Sequence, residues 1–237
     1  MTNVWTLLSW GAEGWLDDIA RGVFVTVSLA LATLPFGLMI GFFVALAKQS
    51  DEPTLRLAGN VYTTIFRGLP ELLTLFLVYY GVQIGLQGII RLVDPGATIE
   101  VNSFVSGMVA LGVVFSSYAS EVFLSAFRAI PRGQYEGGYS VGLTSGQTMR
   151  LVVLPQLVRI ALPGLANLWL ILLKDTALVS AISLSDILRQ AYVASRVTRE
   201  AFLFYSLACA IYLVLAIVSS VGIKAIEKAV GQHEGNR

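Results

Sequence analysis

The sequence predicts an all-α membrane protein with five spanning helices. Of its 237 residues, 56% are hydrophobic and only 13% are charged, which is too apolar for a water-soluble domain of this size. Apolar runs long enough to cross a bilayer recur along the whole chain, separated by short polar stretches. In lipid, each such run satisfies its backbone donors within its own helix. The formal net charge is +1, so there is no basic footprint for nucleic acid. The single cysteine, Cys209, lies in an apolar run and cannot form an intrachain disulfide. The single histidine, His233, lies in a polar tail, so neither a zinc site nor histidine-based catalysis is expected, and no cofactor.

The elements are taken in order. Residues 1–20 contain no Lys or Arg and carry Glu13, Asp17 and Asp18, so no signal peptide is expected there. Trp5, Trp10 and Trp15 suit an interfacial segment. The first span is expected over residues 23–47, where Pro35, Gly37 and Gly41 point to a kink or a close helix contact. The second covers about 57–88 and holds the run Arg67-Gly68-Leu69-Pro70-Glu71 within or at the edge of the membrane. A loop with Pro95 and Gly96 leads to the third span, 102–127, which contains Glu121. The fourth, 160–182, contains Lys174 and Asp175; an amphipathic connector, 183–200, precedes the fifth, 201–223. No second domain is expected, so 1–237 is one transmembrane unit.

The longest polar interruption is residues 128–159. Pro131 suits the first turn of a short helix, where no amide donor is lost. Gly142 offers a left-handed stop. Thr144 with Gln147 three residues on has the spacing of a capping box that restarts a helix. Pro155 and Pro163 limit or kink the next helix. The stretch therefore reads as two short helices joined by a glycine corner, outside the bilayer. Five spans put the termini on opposite sides. The side holding this loop carries nine Lys or Arg (48, 56, 128, 132, 150, 159, 224, 228, 237) against five on the other (21, 91, 189, 196, 199). That bias puts the loop and the C-terminus in the cytoplasm and the N-terminus outside.

Ionisable groups within spans cost roughly 2.5–3.5 kcal/mol each at a central position, so they either pair or face a polar pathway. Arg67, Glu71, Glu121, Lys174 and Asp175 are the candidates for a substrate pathway. A carboxylate such as Glu71 facing that pathway would favour a cationic group on a passing solute. Structural pairing of these residues is the alternative.

Four stretches resemble one known family. The polar loop is similar to the "EAA" loop of ABC-importer permeases through Glu136, Gly137, Gly138, Gly142, Leu154 and Pro155. Both alanines of the pattern are glycine here, which keeps the positions small but weakens a helix by about 1 kcal/mol per site. Phe66–Glu71 with Leu77-Val78-Tyr79-Tyr80-Gly81 resembles the second span of polar amino-acid permeases. Tyr118–Phe123 with Ala126–Pro131 resembles their third, and Lys174-Asp175-Thr176-Ala177-Leu178 their fourth. Glu71 after the proline resembles the histidine, lysine, arginine, ornithine and opine branch, and the glycines of the loop are most like an octopine- or nopaline-type permease within it.

The resemblance implies a type I ABC-importer permease in the bacterial inner membrane, moving a polar, cationic amino acid or opine by ATP-driven alternating access. Its implied partners are a cytoplasmic ABC ATPase dimer, a homologous second permease subunit and a periplasmic substrate-binding protein. The surface implied to dock on the ATPase is Gln134, Tyr135, Glu136, Gly137, Gly138, Gly142, Leu143, Leu154 and Pro155. The chain itself has no P-loop, since none of its four lysines follows a glycine. It is therefore expected to be a transport subunit and not an enzyme. An intramembrane enzyme would need a nucleophile and base or metal ligands at membrane depth, and the apolar runs hold no histidine. An ion-coupled secondary transporter with Glu71 and Glu121 as proton sites is the rival function. It would leave the polar loop without a role.

Overall fold

A computed structural model describes residues 4–11, 14–94, 96 and 101–231. Glu13, Pro95, residues 97–100 and the tail from 232, with His233 and Arg237, lie outside the described residues. Among the described residues the regular structure is helical, and five helices are long and apolar enough to cross a membrane.

A short turn, α1 (Val4–Leu7), precedes the long first span, α2 (Leu16–Gln49). The third span, α5 (Ser103–Ala129), is the most buried helix and packs along α2 in the most extensive contact of the molecule. Small residues make this possible. A side chain at Gly41 would meet the Ala119 Cβ and the Ser116 carbonyl oxygen at 2.9 Å, and one at Gly37 would meet the Phe115 ring at 2.5 Å. Thr33, Gly37, Gly41 and Ala45, spaced by four, are all buried. In lipid, where apolar surface alone gives no drive to associate, such a stripe lets backbones approach and dispersion hold them. The close helix contact expected at Gly37 and Gly41 is thus present.

The stretch expected as a single second span is two helices. α3 (Pro53–Gly68) ends, Leu69 and Pro70 are extended, and α4 (Glu71–Val93) begins. The proline explains the break: it disfavours helical backbone at Leu69. Only α4 has the length and hydropathy of a span, so the crossing starts at Glu71. α3 is strongly amphipathic and leans on α2 and α5.

Beyond α5 lies α6 (Arg132–Ser140), then α7 (Ser145–Thr148), a π turn (Met149–Val153), α8 (Leu154–Asp175) and a 3₁₀ segment (Thr176–Ile182). Helical backbone is thus continuous from 145 to 182, and the fourth candidate span is longer than the 160–182 expected. The π turn has a cause in Pro155, which lacks an N–H and whose ring crowds the carbonyl four residues back. α9 (Ile187–Thr198) is capped by the buried Asp186, whose carboxylate accepts from Arg189 N at 2.9 Å. The last span, α10 (Ala201–Gly231), packs on α9 through Phe204 and Ala208, also contacts α8, and leaves most of its surface open.

Candidate functional site

Two sites emerge, one on the polar corner and one within the bundle.

The corner forms as its residues dictate. Pro131 stands one residue before the first turn of α6, as its N-cap. Gly142 takes φ +85°, the left-handed conformation that glycine adopts without a Cβ penalty. Thr144 and Gln147 close the capping box: Gln147 N donates to Thr144 Oγ1 at 3.4 Å, and Thr144 N donates to Gln147 Oε1 at 2.9 Å. Gln156 Nε2 donates to Gln134 Oε1 at 3.0 Å and ties α6 to the start of α8. Gln134, Glu136, Gly137, Gly142 and Pro155 sit on or near an exposed face, whereas Tyr135, Met149 and Leu154 pack against the main core.

The two glycines at the alanine positions of the pattern do different things. A Cβ at Gly137 would meet nothing within 4 Å. At Gly138 it would stand 2.6 Å from Cγ2 of Thr148, which is fully buried. Gly138 therefore serves a contact inside the chain, and Gly137 lies in the open with room for a partner.

Within the bundle, the pathway candidates fall into two groups. Glu71, at the first turn of α4, and Asp175, at the end of α8, face each other in one cavity. Its other walls are mainly apolar and include Leu75, Phe115 and Leu168, with the ring of Tyr118. Both carboxyl groups are half-buried. Glu71 stands at a helix N-terminus, where the orphan amides favour negative charge. Lys174, next to Asp175, is exposed and does not line this cavity. The two carboxyl groups are within hydrogen-bond reach of each other, so they repel when both are ionised, and a cation beside them removes that repulsion.

Arg67 and Glu121 belong to the second group, with Lys48, which in sequence stands out only as the start of a short polar turn. Glu121 pairs with Lys48, at the end of α2, and with Arg67, at 3.4 Å. Lys48 also donates to Thr63 Oγ1 at 3.0 Å, and the Arg67 guanidinium lies 5.4 Å from the centre of the Tyr118 ring. One carboxylate thus joins α2, α3 and α5. Nothing in the local sequence marks Lys48 as its partner. Tyr118 had a signal, since it precedes Glu121 by one helical turn and shares its face.

Among the described residues no cluster of His, Cys, Asp and Glu could hold a metal.

Residues 37–232 match the family model described as binding-protein-dependent transport system inner membrane component. The chain is 42% identical to the nopaline transport system permease protein NocQ of Agrobacterium fabrum, over 94% of this chain and 95% of that one. It is 35% identical to the histidine/lysine/arginine/ornithine transport system permease protein HisQ of Escherichia coli, over 91% and 94% of the two. Its fold matches a crystal structure of an amino acid ABC transporter with histidines, with a TM-score of 0.77 and 30% identity, covering 91% of this chain and 95% of that chain. The chain belongs to the inner-membrane permease family of binding-protein-dependent transporters. It is a transport subunit and not an enzyme.

Proposed function

We propose that this permease moves a polar, cationic amino acid or opine, and that the facing carboxylates of Glu71 and Asp175 bind its cationic group. The single observation that supports this is their position across one apolar-walled cavity. Unfilled, the pair suffers like-charge repulsion at reduced dielectric. The cavity, about 20 Å³, has room only for a water-sized group here, so the helices part before a guanidinium or ammonium reaches the pair and supplies neutralisation and hydrogen bonds; guanidinium presents the planar fork that suits carboxylates. The relatives named for nopaline and for histidine, lysine, arginine and ornithine support the same substrate class.

In this reading the corner formed by α6 and α7 docks on a cytoplasmic ABC ATPase dimer, the N-terminus is periplasmic and the C-terminus cytoplasmic. A homologous second permease covers the open faces, and a periplasmic binding protein delivers the solute. ATP binding moves the corner, and the bundle alternates between outward and inward openings. The cation must bind the two openings with different affinity, because equal binding would shift no equilibrium. Gln134, Glu136, Gly137, Gly142, Leu143 and Pro155 form the docked face, with Tyr135, Gly138 and Leu154 fixing it to the bundle.

Uptake of labelled arginine by the assembled transporter tests the cavity. Glu71→Gln removes one charge and leaves the shape, and KM should rise about tenfold or more, the loss of a charge-assisted contact of ~1.5–3 kcal/mol. An unchanged KM would remove Glu71 from the site. Transport that depends on a proton gradient and ignores ATP would favour the ion-coupled alternative.

A further inference from the structure

The two cations on Glu121 are not equivalent. Lys48 is buried, with 6% of its side chain exposed, and is fixed a second time by Thr63. It suffices to neutralise the carboxylate. Arg67 is 44% exposed, sits farther away at 3.4 Å and rests on the Tyr118 ring. As a second cation on a carboxylate already neutralised, it adds little stability; a partly exposed pair contributes only modestly. The cluster of Lys48, Glu121 and Arg67 carries one surplus positive charge.

Its placement gives that charge a use. Tyr118 lines the cavity that holds Glu71 and Asp175, and the same ring carries the Arg67 guanidinium. Along α5 the cavity walls include Ala110, Phe115 and Tyr118; Glu121 comes next, and then α6. From Tyr118 to the end of α5 is roughly 16 Å at helical rise. The surplus cation therefore lies between the acidic cavity and the α6 end of the bundle. Arg67 is also in the last turn of α3, directly before the extended Leu69 and Pro70. A Cβ at Gly68 would meet nothing within 4 Å, so the last residue of α3 has free space around it, while Tyr62, about one turn and a half earlier, is held by its hydrogen bond to Val113 O at 3.1 Å. Movement of the last turn of α3 at the break would carry the guanidinium off Tyr118 while Lys48, fixed by Thr63, keeps Glu121 neutral.

We propose that Arg67, seated on Tyr118 and anchored by Glu121, is the gate that closes the acidic cavity towards α6, repelling a bound cation until α3 moves. The inference builds on Glu71 and Asp175 as the cation site, but its test reads leakage and not binding.

The permease, assembled with its partner permease and ATPase in liposomes preloaded with labelled arginine, is assayed for efflux without ATP. Arg67→Gln should raise efflux about tenfold, the result of a barrier lowered by ~1.4 kcal/mol. Arg67→Lys, which keeps the charge, should restore most of the seal. ATP hydrolysis in each preparation shows that the complex is assembled, and misfolding would not produce a gain in arginine flux that lysine reverses. Wild-type efflux from an Arg67→Gln complex that hydrolyses ATP would overturn the gate. So would a leak equally fast in Arg67→Lys. Glu71→Gln separates the two claims. A leak in Arg67→Gln with normal arginine uptake in Glu71→Gln keeps the gate and removes the cation site. The opposite pattern removes the gate alone.

Discussion

The polar corner and the acidic cavity are built by opposite means. At the corner, the turn and the caps are set by residues within a few positions of one another: Gly142 turns the chain, Thr144 and Gln147 cap the next helix, and Pro131 precedes the first turn of α6. In the cavity, Glu71 and Asp175 are 104 positions apart in the numbering and meet only because α4 and α8 both pack around α5. The ion cluster is likewise tertiary, joining Lys48, Arg67 and Glu121. A locally specified surface can form before its partner arrives, which suits docking. A tertiary site changes whenever its helices move, which suits transport.

That contrast can be broken at several points. The largest effect is expected at Glu121. Glu121→Gln leaves the buried Lys48 ammonium beside Arg67 with no compensating charge. Removing one member of a buried pair costs about 3–5 kcal/mol. Glu121 is about one-third exposed, which puts this case at the lower end. The yield of folded permease in detergent should fall sharply, and Glu121→Asp should recover part of it. Full yield with Glu121→Gln would mean that the three helices do not depend on the cluster.

A smaller effect, with opposite signs at adjacent positions, is expected in the corner. Gly137→Ala points into open space and should stabilise α6 by up to about 1 kcal/mol through helix propensity. Gly138→Ala gains the same propensity but drives its Cβ into Thr148, a β-branched and fully buried neighbour. Overpacking costs typically 1–3 kcal/mol, so the net change should be a loss of about 1 kcal/mol. Thermal unfolding of the two variants reads the difference. Equal behaviour would mean that the corner does not rest on Thr148.

The same contrast explains what the sequence disclosed. Capping spacing, the glycine stop and the apolar runs are local patterns, and they placed the corner and five span-forming helices. The Gly37 and Gly41 spacing also announced a close helix contact, because helical period alone puts both on one face, but it did not name α5 as the partner. The division of the expected second span at Leu69 and Pro70 was written in the proline, yet the hydropathy on both sides concealed it. Arg67 and Glu121 read as costly intramembrane charges, and the structure shows the neutralisation that such charges need. Lys48 looked like one more cation in a polar turn. Its partner lies 73 positions away on α5, and no local pattern encodes that distance.

In the proposed mechanism the α6–α7 corner carries the work of an ATPase to the cavity. Gly133 offers the cleanest handle, since a side chain there meets nothing within 4 Å. A Gly133→Cys variant in a Cys209→Ser background, assembled with its partner permease and ATPase, can be crosslinked with and without ATP. We expect a crosslink from residue 133 to the ATPase whose yield changes when ATP binds. A complex that retains its ATPase but leaves the thiol at position 133 freely reactive, with no crosslink in either state, would mean that the corner is not the docked surface.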